Sequence, residues 1–410
     1  MPQSLSEPPL ACAPVGLRVV DRRLFGLLSR ARRHGLATLD LTTAACTLSQ
    51  AARDARRLAL GGLPRMPALL DLVVSRAAGI FGAPHIRLYP SLAQAHFALL
   101  LAILPRGQTV LSLKLRAGGS VTHSLGAHSA GRWFNVAQYG VEPATGQPTE
   151  TELRRLCLAH RPRLIIAGGV TCPHRPRLQL LRELADEVDA VLVADLTDHA
   201  GLVAGGHLPC PLAEAHLVVM PTNREFRGPP GALIATADID LARQIDLTLT
   251  DQGDAGLAPA TASALAAAFG EVPSEAFRRY IQGVSENAAS LRRALQAEGL
   301  LVAGGDTSIL VLDLRPLGLG AEPAATLLRR IGLNADPVPL VDDPAPLALP
   351  SGLRLSVAAL TARGFGPEEM AVTASLIGRT LRCRQPGARE AEAALRRVAA
   401  GLARRFPLVS

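Results

Sequence analysis

The stretch Ala190-Val191-Leu192-Val193-Ala194-Asp195-Leu196-Thr197-Asp198-His199-Ala200-Gly201 decides the fold. Its apolar residues run without a break into a carboxylate, the pattern of a strand buried on both faces and ending at Asp195. Open α/β sheets gather ligand-binding groups at such carboxyl ends. Two readings of Asp195 follow. It can pair with a protonated ring nitrogen of a ligand, or it can be a helix cap or solvated strand end. Spacing alone leaves both open.

Working outward, the same pattern repeats. Thr109-Val110-Leu111-Ser112-Leu113 follows the turn Pro105-Arg106-Gly107, and further apolar strands read at Leu164 to Gly168, Leu217 to Met220 and Ala232 to Ala235. Between them lie helices. One runs from Thr149 to His160, with Thr149 as cap and Glu152 three residues on as in a capping box, and another from Leu178 to Val188. Apolar strands alternating with helices predict a mostly parallel sheet covered on both faces. A long helix, Pro273 to Glu298, leads to a second unit with strands at Ile309 to Leu314 and Leu353 to Ser356. Its helices read at Glu322 to Ile331, Pro367 to Leu381 and Arg389 to Arg405, and the Pro- and Asp-rich segment Pro337 to Pro350 reads as a loop. The expected organisation is an arm over 1–36 with a basic helix from Val19 to His34, a large α/β domain over 37–272, and a linking helix with a smaller α+β domain over 273–410.

Composition excludes several classes. With 410 residues, 48% hydrophobic and 19% charged, the chain can bury a large core. The apolar run His96 to Leu104 stops at Pro105, too short to span a bilayer. Met1 to Gly16 lacks the basic and apolar regions of a signal peptide, so a cytoplasmic location with no membrane association is expected. The six cysteines form no C-x-x-C pair and no H-E-x-x-H occurs, so neither a disulfide framework nor a metal centre is expected. The net charge is +8, but the arginines are spread through helices that also carry acids, which argues against nucleic acid as partner. Of 43 basic residues, Lys114 alone is lysine. That matters to any chemistry that requires an amine.

Further blocks carry a resemblance. Ala194 to Ala204 looks like the aspartate strand of serine hydroxymethyltransferases, and Met220 to Ala232, with Arg227-Gly228-Pro229 and Gly231, resembles their lysine loop. Tyr139-Gly140-Val141-Glu142-Pro143, Ile166-Ala167-Gly168, Leu353-Arg354-Leu355, Ala359 to Gly366 and the terminal Arg405-Phe406-Pro407-Leu408 match further blocks in family order. The resemblance implies a fold-type-I pyridoxal-phosphate fold and an activity exchanging a one-carbon unit between serine, glycine and tetrahydrofolate. It implies that Asp195 faces the pyridine nitrogen, that Arg354 clamps an amino-acid carboxylate with its planar fork, and that Thr222, Ser91, His123 and Ser120 fall at cofactor-binding positions.

Other positions depart from the family. Arg224 stands where the resemblance places the Schiff-base lysine, preceded by Asn223 in place of histidine. A guanidinium offers no free amine lone pair and cannot form the covalent link to the cofactor. Ser120 replaces the ring-stacking histidine, Asp198 another histidine and Val170 a serine. The phosphate cup reads Ser91-Leu92-Ala93, without its glycine. Ser-Glu-Asn-Phe becomes Thr42-Thr43-Ala44-Ala45, and the loop expected to carry a proton-transferring glutamate is cut to about Arg56 to Gly62, with no Tyr or Glu between Thr42 and Gly62. Lys114 reads as a solvated strand-end lysine, with a substitute amine as its other reading. Arg224 reads either as a filler of a vacated pocket or as an anion binder.

The pattern predicts a serine hydroxymethyltransferase-like chain with a degenerate active site, acting as a ligand-binding, regulatory or partner subunit. It would be a homodimer or a heteromer with an active paralogue, with an amino-acid-like small ligand. The alternative is an enzyme acting on a serine- or glycine-like amino acid with pyridoxal phosphate held without a covalent bond.

Overall fold

The computed structural model describes residues 20–45, 47–60, 67–124, 129–248, 257–304, 306–344, 346–382 and 389–408. The arm before Val20, part of the shortened loop at Gly61 and Gly62, and Cys12, Cys46 and Cys383 lie outside the described residues.

The main sheet has seven strands: β2 (His85–Tyr89), β3 (Thr109–Leu113), β4 (Asn135–Tyr139), β5 (Leu164–Gly168), β6 (Val191–Asp195), β7 (Leu217–Pro221) and β8 (Ala232–Thr236). Their order is β2-β8-β7-β6-β5-β3-β4, with β8 antiparallel to both neighbours and the pairs from β7 to β4 parallel. Alternation sends Ile165, Ala167, Leu192 and Ala194 into one apolar cluster and Leu164, Ile166 and Val193 into the other. The strands β5 to β8 are therefore apolar at almost every position and read as runs rather than alternations, whereas β2 and β4 at the two edges carry His85, Arg87, Asn135 and Gln138. Helices Glu150–His160 and Leu178–Glu187 bury Leu153, Leu156, Leu181 and Leu184 on the first face. Helix Leu92–Ile103 covers the second with Leu99, Leu100 and Ile103. The cap at Thr149 forms, its oxygen accepting from Glu152 N at 3.3 Å, but the Glu152 side chain bonds Arg155.

Helix Glu275–Ala297, capped by Ser274 accepting from Phe277 N at 3.1 Å, links this unit to the second. There β9 (Leu301–Gly304), β10 (Ile309–Asp313), β12 (Asp336–Val338) and β13 (Gly352–Ser356) form an antiparallel sheet in the order β12-β13-β10-β9. Helix Ala321–Arg330 packs against it, and helix Pro367–Arg382 packs on that helix and on Glu275–Ala297. The start of the segment read as a loop, Pro337 and Val338, belongs to β12. A short parallel pair joins β1 (Leu39–Asp40) to β11 (Leu333–Asn334), so this early segment, placed in 37–272 on sequence, hydrogen-bonds to a strand of the second unit. None of the described helices is long and apolar enough to cross a membrane.

Two glycines shape the carboxyl edge of the sheet. Gly168 has φ +104°, and a methyl there would meet Asp195 O at 2.4 Å. A methyl on Gly118, at φ +103°, would meet Thr171 O at 2.1 Å. Only glycine allows both the dihedral and the approach that bring these loops against Asp195 and Thr171.

Candidate functional site

Asp195 closes β6, 1% exposed. Its Oδ1 accepts from Thr197 N at 2.9 Å and from the Thr197 hydroxyl, which fixes the carboxylate plane. Its Oδ2 faces two imidazoles, His96 Nε2 at 3.3 Å and His123 Nε2 at 3.5 Å. The rings meet edge to face with centroids 4.9 Å apart. Burial opposes the charge on Asp195, but His123 and His96 outweigh it and hold the carboxyl well below the usual range. Burial also pushes the His123 imidazole down, against the pull of Asp195. The outer nitrogens are anchored: His96 Nδ1 lies 2.7 Å from Thr122 Oγ1, and His123 Nδ1 3.1 Å from Ser124 Oγ. Ser120 is buried, its hydroxyl 2.8 Å from Thr122 Oγ1, so it belongs to the same cluster.

Arg224 follows β7 in a short 3-10 turn at φ +53°, a left-handed backbone that costs a non-glycine residue about 1 kcal/mol or more. Its guanidinium pairs with Asp198. The other Asp198 oxygen accepts from Cys172 N at 3.0 Å. Asp198 is fully buried and Arg224 largely so. Asp198 thus serves as the anchor of Arg224 and of the loop after β5.

Arg354 lies on β13. Its Nη2 donates to Asp336 Oδ2 at 2.9 Å, and its Nη1 to Thr171 Oγ1 at 2.9 Å and to Val170 O. The same Asp336 oxygen accepts from Thr43 N at 3.0 Å. An internal carboxylate therefore occupies the fork of Arg354.

The remaining predicted positions are spread out. Ser91 caps helix Leu92–Ile103, accepting from Gln94 N at 3.3 Å and contacting Gln94 Oε1 at 3.1 Å. Thr222 is buried and donates to Pro229 O at 2.8 Å, bracing the loop between β7 and β8. Lys114 is exposed after β3, beside Gly140 and in a cleft of about 430 Å³ with Glu142, Thr149 and Glu152. The structure gathers Asp195, His123 and Ser120 into one cluster. His96 and Asp336 were missed on sequence. His96 stands alone in an apolar run, and that isolation was its only signal.

Comparison with known proteins supplies the family. The serine hydroxymethyltransferase family model matches residues 59–377. Serine hydroxymethyltransferase 1 of Bordetella parapertussis is 35% identical over 426 residues, covering 98% of each chain. Serine hydroxymethyltransferase 1 of Rhodospirillum rubrum is 36% identical over 87% of this chain and 83% of its own. The Zymomonas mobilis enzyme is 37% identical over 82% and 80%. With an α/β fold, a mostly parallel sheet and this agreement along its length, the chain belongs to the serine hydroxymethyltransferase family, a pyridoxal-phosphate-dependent family of fold type I.

Proposed function

We propose that this chain is a degenerate member of its family, without serine/glycine hydroxymethyl transfer, serving in the cytoplasm as a ligand-binding or partner subunit. One observation carries the reading: each charged group expected to meet cofactor or substrate already faces a group of this chain. Asp195 faces His96 and His123, Arg224 pairs with Asp198, and Arg354 holds Asp336.

The residues present do not fit pyridoxal phosphate held in the family manner. Arg224 has no nucleophilic amine to bond an aldehyde. Asp195 Oδ2 is shut off from solvent, so a ring nitrogen would have to displace an imidazole. Thr222 spends its hydroxyl proton on Pro229 O, and Leu92 removes the glycine at which backbone could approach a phosphate. The oligomeric character of the family supports a dimer, with itself or with an active relative.

The test is titration of the purified protein with pyridoxal phosphate, followed by borohydride and peptide mass mapping, beside a serine–tetrahydrofolate turnover assay. The expected result is no cofactor trapped within the family loop around Arg224 and no turnover. Turnover by the wild type that disappears in Asp195→Asn would overturn the reading. Cofactor trapped on Lys114, with the N-terminal amine excluded, would move the enzymatic alternative ahead.

A further inference from the structure

His96, His123 and Asp195 arrive from three elements: helix Leu92–Ile103, the short helix Val121–Ser124, and the end of β6. One atom of each, His96 Nε2, His123 Nε2 and Asp195 Oδ2, is buried without a well-formed hydrogen bond. One potential ligand atom from each of the three side chains lies within 4.8 Å of the others. Buried polar atoms are nearly always satisfied, so three orphans converging on one point call for an explanation. Hydrogen bonding supplies a poor one. Both imidazoles would have to donate to a single oxygen at 3.3 and 3.5 Å, longer than a good N–H···O bond.

We propose that these three side chains bind a divalent first-row transition ion, zinc foremost. An ion about 2.0–2.2 Å from nitrogen and oxygen ligands holds them roughly 3.3 Å apart when tetrahedral, close to the two distances observed. Two imidazoles and a carboxylate are a donor set suited to zinc, and to iron or cobalt with open positions. The outer atoms are arranged as metal ligands require. Nδ1 of His96 faces Thr122 Oγ1 and Nδ1 of His123 faces Ser124 Oγ, so a proton on each Nδ1 leaves Nε2 free to ligate. Asp195 Oδ1 is committed to Thr197, leaving Oδ2 for the ion. Three protein donors leave a further position for water or a small anion. The proposal stands apart from the functional reading above, since an ion can sit in an active or an inactive protein. It also differs from the sequence expectation of no metal, because residues 96, 123 and 195 share no motif spacing.

Because the cluster is buried, the ion is supplied during synthesis. Tag-free wild-type protein expressed with added zinc is measured by inductively coupled plasma mass spectrometry. About one zinc per chain is expected, falling at least tenfold in His96→Leu and in Asp195→Asn. It should stay unchanged in His174→Ala, which removes an exposed histidine paired with Asp306. Should the core variants fail to fold, X-ray absorption of the wild-type zinc protein decides: two imidazoles with oxygen ligands support the site. Substoichiometric zinc, sulfur ligation, or equal loss in His174→Ala overturns it.

Discussion

Glu225, next to Arg224, is a single residue whose charge works against the fold. It is 1% exposed, with Oε1 accepting from Ser308 Oγ and Oε2 unpartnered. Burial raises its carboxyl, outweighing the Ser308 bond and the Arg224 charge. A carboxyl raised in the folded state gives full stability below its unfolded pKa, about 4.3. That contribution is lost as pH rises through the folded pKa. Glu225→Gln should therefore add on the order of 1 kcal/mol at pH 8 and nothing at pH 4, read from urea midpoints. An equal shift at both pH values would reject the argument. The sequence marks the residues that bear charge but not the partners they meet. Asp195 and Arg354 stood out, whereas His96 lay 99 positions from its carboxylate and Asp336 lay 18 positions before its arginine, just ahead of the segment read as a loop. Pairing of this kind is decided by the packing of distant elements, which local pattern does not encode.

Among the elements, five strands of the main sheet were readable because burial on both faces demands continuous apolar runs, whereas the edge strands β2 and β4, interrupted by His85, Arg87, Asn135 and Gln138, were not. Helix Pro259–Glu271 was not, being alanine-rich, with Ala262, Ala264, Leu265, Ala266, Ala268 and Phe269 all buried and little polar face to mark a period. The two-residue strands β1 and β11 are too short for any period. One side chain ties Thr38, ahead of β1, to the helix Arg389–Arg405 and the residue after it. Arg363, 8% exposed, donates to Thr38 O at 2.7 Å, Phe406 O at 2.7 Å and Ala403 O at 3.0 Å. Arg363→Ala should cost about 2–4 kcal/mol, since three carbonyls, two of them in buried bonds, lose a charged donor. Amide hydrogen exchange should rise in Thr38–Leu41 and the helix Arg389–Arg405, while β5 to β7 stay protected. A uniform rise across the molecule would refute that local role.

At the scale of the whole molecule, the longest described helix without a buried residue stands out. Helix Arg22–Ala37 has no buried residue, and Leu24, Leu27 and Leu28 are 41%, 50% and 52% exposed at helical spacing. An apolar stripe of this kind favours burial by a second subunit. With the oligomeric habit of the family, it predicts a sedimenting mass of twice the 43.0 kDa chain. The paired substitution Leu27→Glu with Leu28→Glu should shift the mass toward a single chain. A single-chain mass for the wild type would exclude the homodimer.

The pairing of β1 with β11 joins Leu39 to Leu333, 294 residues apart. On the ribosome that separation becomes a delay. At cellular translation rates the segment around Leu39 emerges roughly 15 to 60 s before its partner strand exists. Leu39 and Leu41, both wholly buried once folded, must stay uncovered for that interval while the main sheet assembles behind them. The Leu39–Asp40 strand is therefore among the last parts to find its place, and a nascent chain stalled before residue 333 would still expose it.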